Sequence, residues 1–222
     1  MKVVELFAGT RSVSKAFERA GDETFTIEWD KRHPGIDWYA DISQISAMDI
    51  VDRFGVPDVV WASPPCQSYS VICFGRHRVK GEDGLCHPIS EFAKYSDQLV
   101  EHTLRLILAL KHLNPDLIWF IENPRGGLRV SEPVAKYNLN QFRHTVTYCQ
   151  YGDFRMKPTD IWTNHPAPDF KPPCKNGDPC HERSPRGSRK GTKSLKGAKE
   201  RSVIPEQLCD HIAEICHKEV NQ

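Results

Sequence analysis

No apolar run in the 222 residues approaches the length that a bilayer-spanning helix requires, so no membrane partner is expected. The N-terminal Met1-Lys2-Val3-Val4-Glu5-Leu6-Phe7 lacks a signal-peptide layout and runs straight into strand-like sequence. No internal repeat recurs along the chain, and the full G-x-G-x-x-G dinucleotide fingerprint is missing. Eight cysteines, at 66, 73, 86, 149, 174, 180, 209 and 216, show no regular spacing in a chain large enough to do without covalent staples. They read as reduced thiols, and so as a protein of the cytoplasm. Net charge is nearly absent as well, at +1, but that balance hides an asymmetry. From Lys171 to Arg201, ten Lys or Arg stand against three acids, Asp178, Glu182 and Glu200. Rich in Gly, Ser and Pro and poor in large apolar residues, this run is expected to be a loosely packed basic insert, suited to phosphate contact or simply to solvent.

What the chain does have is strand-like runs alternating with helix-like ones, the pattern of a mainly parallel α/β sheet in one domain. Val3 to Phe7 predicts a first strand, followed by a helix capped by Ser12 or Ser14 and stopped by Gly21. Strands are expected at Thr24–Ile27, Pro57–Trp61, Leu117–Ile121, His144–Tyr148 and Asp160–Thr163, and helices at Ser43–Phe54, Tyr95–Leu113 and Pro205–His217. Ser70 to Lys94 reads as loop, with Gly75, Gly81 and Gly84 among Arg76, His77, Arg78 and Lys80.

Two strand ends carry reactive groups. Pro64-Pro65-Cys66-Gln67 places a thiol in a rigid turn just past an apolar run, where it can line a cleft. The other end, Glu122-Asn123-Pro124, supplies a carboxylic acid, and the pair suggests covalent catalysis on one face of an α/β sheet. The alternative for Cys66 is a buried structural thiol. Leu6-Phe7-Ala8-Gly9-Thr10 is a small-residue turn that lets a cofactor approach the backbone. In Glu28-Trp29-Asp30 an acid can bind ribose hydroxyls beside an indole that can stack on adenine, and Asp41 adds an acceptor for an exocyclic amine.

Taken in order, Leu6-Phe7-Ala8-Gly9, Glu28-Trp29-Asp30, Asp41-Ile42, Pro65-Cys66-Gln67 with Ser70, Glu122-Asn123-Pro124, Gln150-Tyr151-Gly152 followed by Lys157, and Ser202-Val203-Ile204-Pro205 resemble the DNA cytosine carbon-5 methyltransferases of small phage or bacterial type. The resemblance implies a Rossmann-like S-adenosylmethionine-dependent methyltransferase fold with a mainly parallel sheet and a small target-recognition insert. Residues 1–162 would form the catalytic and cofactor-binding domain, 163–200 the insert, and 201–222 a helix completing the catalytic domain. The implied donor site is Phe7, Ala8, Gly9, Thr10, Glu28, Trp29, Asp41, Ile42, Pro64, Arg201, Ser202 and Val203. Cys66 would be the nucleophile, Glu122 would hold or protonate the ring nitrogen, and Asn123 would position that acid. The resembled pattern usually has arginines at the positions of Lys157 and Thr159. Lys157, with Arg155 substituting for the missing arginine, would face the phosphate or the cytosine carbonyl. The loop after Ser70 resembles the family's mobile loop, whose basic residues would hold the backbone of double-stranded DNA while a cytosine is flipped out. A monomer is expected. An RNA cytosine-5 methyltransferase of the same fold, or a non-catalytic nucleic-acid-binding relative, remain open as alternatives.

Two features depart from the resembled pattern. Arg201 stands where the family typically has Asn, near the transferred methyl; it would suit carboxy-S-adenosylmethionine, whose added carboxylate can pair with a guanidinium, unless it turns outward to DNA phosphate or pairs with Glu200 or Glu206. Cys174, Cys180 and His181 set three metal-ligand types within eight residues, compatible with a structural zinc whose fourth ligand is His165 or Cys149, or with unliganded loop thiols.

Overall fold

A computed structural model describes residues 1–184, 195 and 197–220. In chain order the elements are β1 (Lys2–Leu6), α1 (Ser12–Arg19), β2 (Glu23–Glu28), β3 (Trp38–Tyr39), α2 (Ala47–Phe54), β4 (Val59–Ala62), β5 (Arg78–Lys80), β6 (Cys86–Pro88), α3 (Glu91–Leu113), β7 (Ile118–Pro124), α4 (Glu132–Lys136), β8 (Arg143–Thr147), β9 (Pro158–Thr163), α5 (Ala198–Ser202) and α6 (Glu206–Val220). Among the described residues no helix is long and apolar enough to cross a membrane.

Seven strands form one sheet in the order β3-β2-β1-β4-β7-β9-β8. Pairing is parallel from β3 to β7, and β9 runs antiparallel to both β7 and β8. Side chains alternate across the pleat. Val4, Leu6, Val60, Ala62, Trp119 and Ile121 pack with Ile50 of α2 and with Leu99, Leu106 and Leu110 of α3. Val3, Val59, Trp61, Ile118 and Phe120 pack on the other face with Val13 and Phe17 of α1 and Leu208, Ile212 and Cys216 of α6. Both faces are covered, which is why these strands read as continuous apolar runs.

Several local expectations change. Helix α1 is not capped by Ser12 or Ser14: the capping position is Arg11, with no side-chain bond. Glu5, reaching over from β1, accepts from the Ser14 and Val13 amides at 2.8 and 3.4 Å and so satisfies the exposed amides of the first turn. Burial pushes the Glu5 carboxyl up to about 7. Helix α2 begins at its Ser46 capping box and not at Ser43. Helix α3 begins at Glu91 behind a Ser90 cap, four residues before the expected Tyr95.

The stretch from Ser70 to Lys94 is not plain loop, because it contains the β5–β6 hairpin. Arg78, grouped above with residues gripping nucleic acid, is fully buried. It donates to Asp97 Oδ1 at 2.7 Å, Ser68 O at 3.1 Å and Ala93 O at 3.1 Å, and lies 4.0 Å from the centre of the Tyr69 ring. A Cβ added at Gly126 would come within 2.6 Å of Tyr69 O, so the strand-end turn and the hairpin's root touch backbone to backbone. Arg78 thus anchors the hairpin. Truncating one member of a buried ion pair leaves the other charge uncompensated, so Arg78→Ala should lower stability by roughly 3–5 kcal/mol in urea unfolding; a loss under ~1 kcal/mol would place the pair in solvent.

Candidate active site

Strand order reverses between β1 and β4: β2 and β3 follow to one side of β1, β7 and β9 lie on the other side of β4. The loops leaving the two strands therefore part and open a crevice at their carboxyl ends. Phe7, Gly9 and Arg11 in the loop after β1 have φ of 58°, 47° and 56°, a concentration of left-handed backbone that places amides unusually. Glu28 at the end of β2 accepts from the Gly9, Trp29 and Asp30 amides at 3.0, 2.9 and 3.0 Å. Three of its four acceptor positions are therefore occupied by the loop, leaving one for a ligand hydroxyl. The Trp29 indole is 69% exposed. Asp41 accepts from Ser43 N and Ser43 Oγ at 2.9 and 2.8 Å, while Ile42 is buried in the core beneath. The segment from Arg201 to Ile204 crosses the same loop: Ile204 N donates to Ser12 Oγ at 3.4 Å, which in turn lies 2.8 Å from Thr10 Oγ1.

Cys66 sits where the chain leaves β4, and Glu122 sits near the end of the neighbouring, parallel β7. Lys157, with φ of 26°, precedes β9 and arrives at the same edge because β9 is antiparallel. These three groups act on one another electrostatically. Burial chiefly pushes the Cys66 thiol above its ordinary value, and the Glu122 carboxylate pushes it further, whereas Lys157 and Arg201 draw it down. Burial likewise raises Glu122, opposed first by Lys157 and then by hydrogen bonds from Tyr148 and Ser63. Lys157 is held below the usual lysine range by burial, with Glu122 opposing. Its ammonium donates to Arg201 O at 3.0 Å and lies 4.3 Å from the centre of the Tyr148 ring.

Other expected residues are placed differently. Asn123 was expected to position Glu122, but its Nδ2 donates to Pro64 O at 2.9 Å and so ties the Cys66 turn to β7. Its Oδ1 is buried without a partner, an acceptor that a ligand donor would satisfy. Tyr148, which no motif singled out, holds Glu122 through an O–H bond of 3.1 Å. Arg155 is buried and forks onto Asp153, its Nε 3.0 Å from each carboxylate oxygen. Arg201 lies in α5 and its guanidinium donates to Leu195 O at 3.2 Å.

The cluster of metal-ligand types includes Cys149 together with Cys174, Cys180 and His181. His165, the other expected fourth member, lies elsewhere, with Nε2 3.2 Å from Ile215 O and Nδ1 accepting from Ala167 N at 3.1 Å. Of the basic insert, residues 185–194 and 196 lie outside the described residues.

Comparison with known proteins yields a family match over part of the chain and likenesses of fold. Residues 1–97 match the family described as C-5 cytosine-specific DNA methylase. A frog virus 3 (isolate Goorha) protein named probable DNA (cytosine-5)-methyltransferase is 28% identical over 169 residues, covering 74% of this chain and 71% of that protein. Among solved structures, an E. coli prophage protein assigned as a DNA modification methyltransferase superposes with a TM-score of 0.51 at 19% identity, covering 73% of this chain and 46% of that one. The Entamoeba histolytica methyltransferase EhMeth does so at 0.53 and 16% identity, covering 73% and 52%. At such identities the likeness is one of fold, and the chain spans about half the length of these two structures.

Proposed function

We propose that this chain is a C-5 cytosine-specific DNA methylase, the family its residues 1–97 match, and that it alkylates cytosine carbon 5 in double-stranded DNA through a covalent Cys66 adduct. The observation that carries this reading is that the paired ends of β4, β7 and β9 bring Cys66, Glu122 and Lys157 to one edge of the sheet beside the β1–β4 crevice. Carbon 5 of cytosine is too electron-poor to take an alkyl group unaided. Addition of the Cys66 thiolate to carbon 6 makes carbon 5 enamine-like, while protonation of the ring nitrogen by Glu122 accepts the displaced electron density. S-adenosylmethionine would supply an electrophilic methyl group. Loss of the carbon-5 proton to water, with the ring-nitrogen proton returning to Glu122, then restores the ring double bond and expels the thiolate. Lys157 favours the thiolate electrostatically and Tyr148 holds the acid, while Asn123 fixes the turn bearing the nucleophile and offers Oδ1 to the flipped base.

Within this reading, residues 1–162 carry catalysis and donor binding, 163–200 recognise DNA, and 201–222 complete the catalytic domain. So short an insert presents few base-reading side chains, which suits a short or relaxed target sequence. The protein acts as a monomer in the cytoplasm of a bacterial or phage-infected cell. The donor is S-adenosylmethionine or its carboxylated form. Favouring the second is Arg201, whose charge reaches Cys66 and whose carbonyl holds Lys157. Two cations beside a donor sulfonium are mutually repulsive unless an anion lies among them, and the carboxylate of carboxy-S-adenosylmethionine is such an anion.

Mass spectrometry of nucleosides from duplex DNA and transfer RNA, incubated in parallel with each donor, tests the proposal. Modified deoxycytidine is expected from the DNA. Modification confined to transfer RNA would establish the RNA enzyme instead, and no modification of either would leave a binding protein. Arg201→Asn should shift donor preference toward S-adenosylmethionine by ~10-fold or more, the scale of one charge-assisted hydrogen bond. Equal loss with both donors would put Arg201 on DNA or in the scaffold.

A further inference from the structure

Three thiols and an imidazole meet at the turn that follows β8. Cys149 Sγ lies 3.1 Å from Cys174 Sγ and 3.5 Å from Cys180 Sγ, and His181 Nδ1 lies 3.6 Å from Cys174 Sγ and 3.5 Å from Cys180 Sγ. All four ligand atoms fall within 4.8 Å of one another. Thiols are weak hydrogen-bond partners, so hydrogen bonding alone gives little reason to gather three of them around an imidazole. A disulfide would use two sulfurs at about 2.05 Å and strand the third. A tetrahedral zinc ion uses all four: with Zn–S near 2.3 Å and Zn–N near 2.0 Å, its ligand atoms stand roughly 3.5–3.8 Å apart. The Cys149 and Cys174 sulfurs would have to part by about 0.7 Å to take their places in that cage.

The folding context supplies a reason for such a site. Cys149 belongs to the short turn after β8, whereas the other three come from the 171–184 stretch, which has no helix or strand. That stretch holds three Pro and no large apolar residue and contributes nothing to either core. Its ties to the fold include bonds from Lys171 N to Tyr151 Oη, Lys171 Nζ to Gln150 O, Cys174 N to Thr147 Oγ1 and Glu182 N to Phe154 O, at 2.9, 3.0, 2.9 and 2.8 Å. A segment without apolar surface gains its fixed geometry from a metal or from cross-links.

We infer that Cys149, Cys174, Cys180 and His181 form a closed Cys3His structural zinc site that clamps the start of the basic insert to the turn following β8. With four protein ligands no position is left for water or substrate, so the ion has no part in the chemistry. The inference stands whether or not the chain alkylates cytosine. Its position explains why the clamp is useful: Cys149 follows Tyr148, the residue holding Glu122, so the same turn supports the acid on one side and the insert on the other.

Full-length protein purified without chelators should contain close to one zinc per chain by elemental mass spectrometry. The Cys174→Ser/Cys180→Ser pair should lose it almost entirely. Because those variants could fold poorly, the wild-type chain loaded with Co2+ gives an independent reading: thiolate-to-cobalt charge-transfer bands and the intense visible bands of tetrahedral cobalt are expected. Thiol-reactive reagent should label Cys149, Cys174 and Cys180 only after zinc is removed. Cobalt spectra without thiolate bands, zinc content unchanged by the double substitution, or a Cys149–Cys174 disulfide found in protein kept under reducing conditions would each overturn the assignment.

Discussion

Cys66→Ala should reduce alkyl transfer to DNA by at least about 10^4-fold while leaving donor binding within a few-fold of the parent chain. The size follows from the reaction. Without a nucleophile at carbon 6, carbon 5 keeps its electron-poor character, and neither Glu122 nor Lys157 can create the enamine. The preservation of donor binding follows from the architecture. In the proposed donor site the groups come from the ends of β1 and β2, from Asp41, from Pro64 and from the segment beyond Arg201, and the Cys66 thiol is not among them. Its turn is held by Asn123 through Pro64 O, a contact that does not involve the thiol. Single-turnover transfer and calorimetric donor binding on the two proteins separate these effects. DNA carrying 5-fluorocytosine should be trapped covalently by the parent chain and not by the variant, since fluorine blocks the final elimination. Transfer near the parent rate by Cys66→Ala would remove the covalent mechanism.

What could be read from the sequence, and what could not, follows the range of the interactions involved. Strands β4 and β7 are buried on both faces and so announce themselves by runs of Val, Ile, Trp and Phe, and β1 does so despite Glu5 in its middle. Strand β3 has two residues and α4 has five, too few for a period to show. The β5–β6 hairpin was hidden because Arg78, polar by composition, is one of its most buried residues, neutralised by an Asp97 that lies 19 positions on. Cys66 and Glu122 belong to short local motifs at strand ends and are legible there. Tyr148 and Ser63 are not, since neither has a local signature and each meets Glu122 only through the pairing of strands. The same limit applies to the Cys/His cluster. Three of its members are neighbours in sequence, but Cys149 and His165 were equal candidates for the fourth until folding put one beside Cys174 and the other beside Ile215.

Glu122→Gln should separate two roles of one carboxyl group. Loss of the proton donor at the ring nitrogen should lower transfer by about 10^2- to 10^4-fold. The same substitution should make Cys66 a better nucleophile toward a simple alkylating agent. Burial is the largest influence raising the Cys66 thiol, the Glu122 carboxylate is the next, and Lys157 and Arg201 oppose them. Removing the anion therefore moves the thiol downward, so iodoacetamide labelling of Cys66 should rise at lower pH than in the parent chain. One secondary effect opposes this: Glu122 helps keep Lys157 charged, and without it burial depresses the lysine further. The direct effect should prevail, because the carboxylate acts on Cys66 more strongly than Lys157 does. In the parent chain burial lets Glu122 keep its proton above the ordinary carboxylate range, while Cys66 loses its proton only above the ordinary thiol range. The competent form needs the first protonated and the second ionised, so kcat/KM should rise as Cys66 ionises and fall as Glu122 does, a bell that Glu122→Gln reduces to its rising limb. If labelling of Cys66 in Glu122→Gln instead required higher pH than in the parent, the carboxyl would not face the thiol, and the proposed division of labour between the ends of β4 and β7 would be wrong.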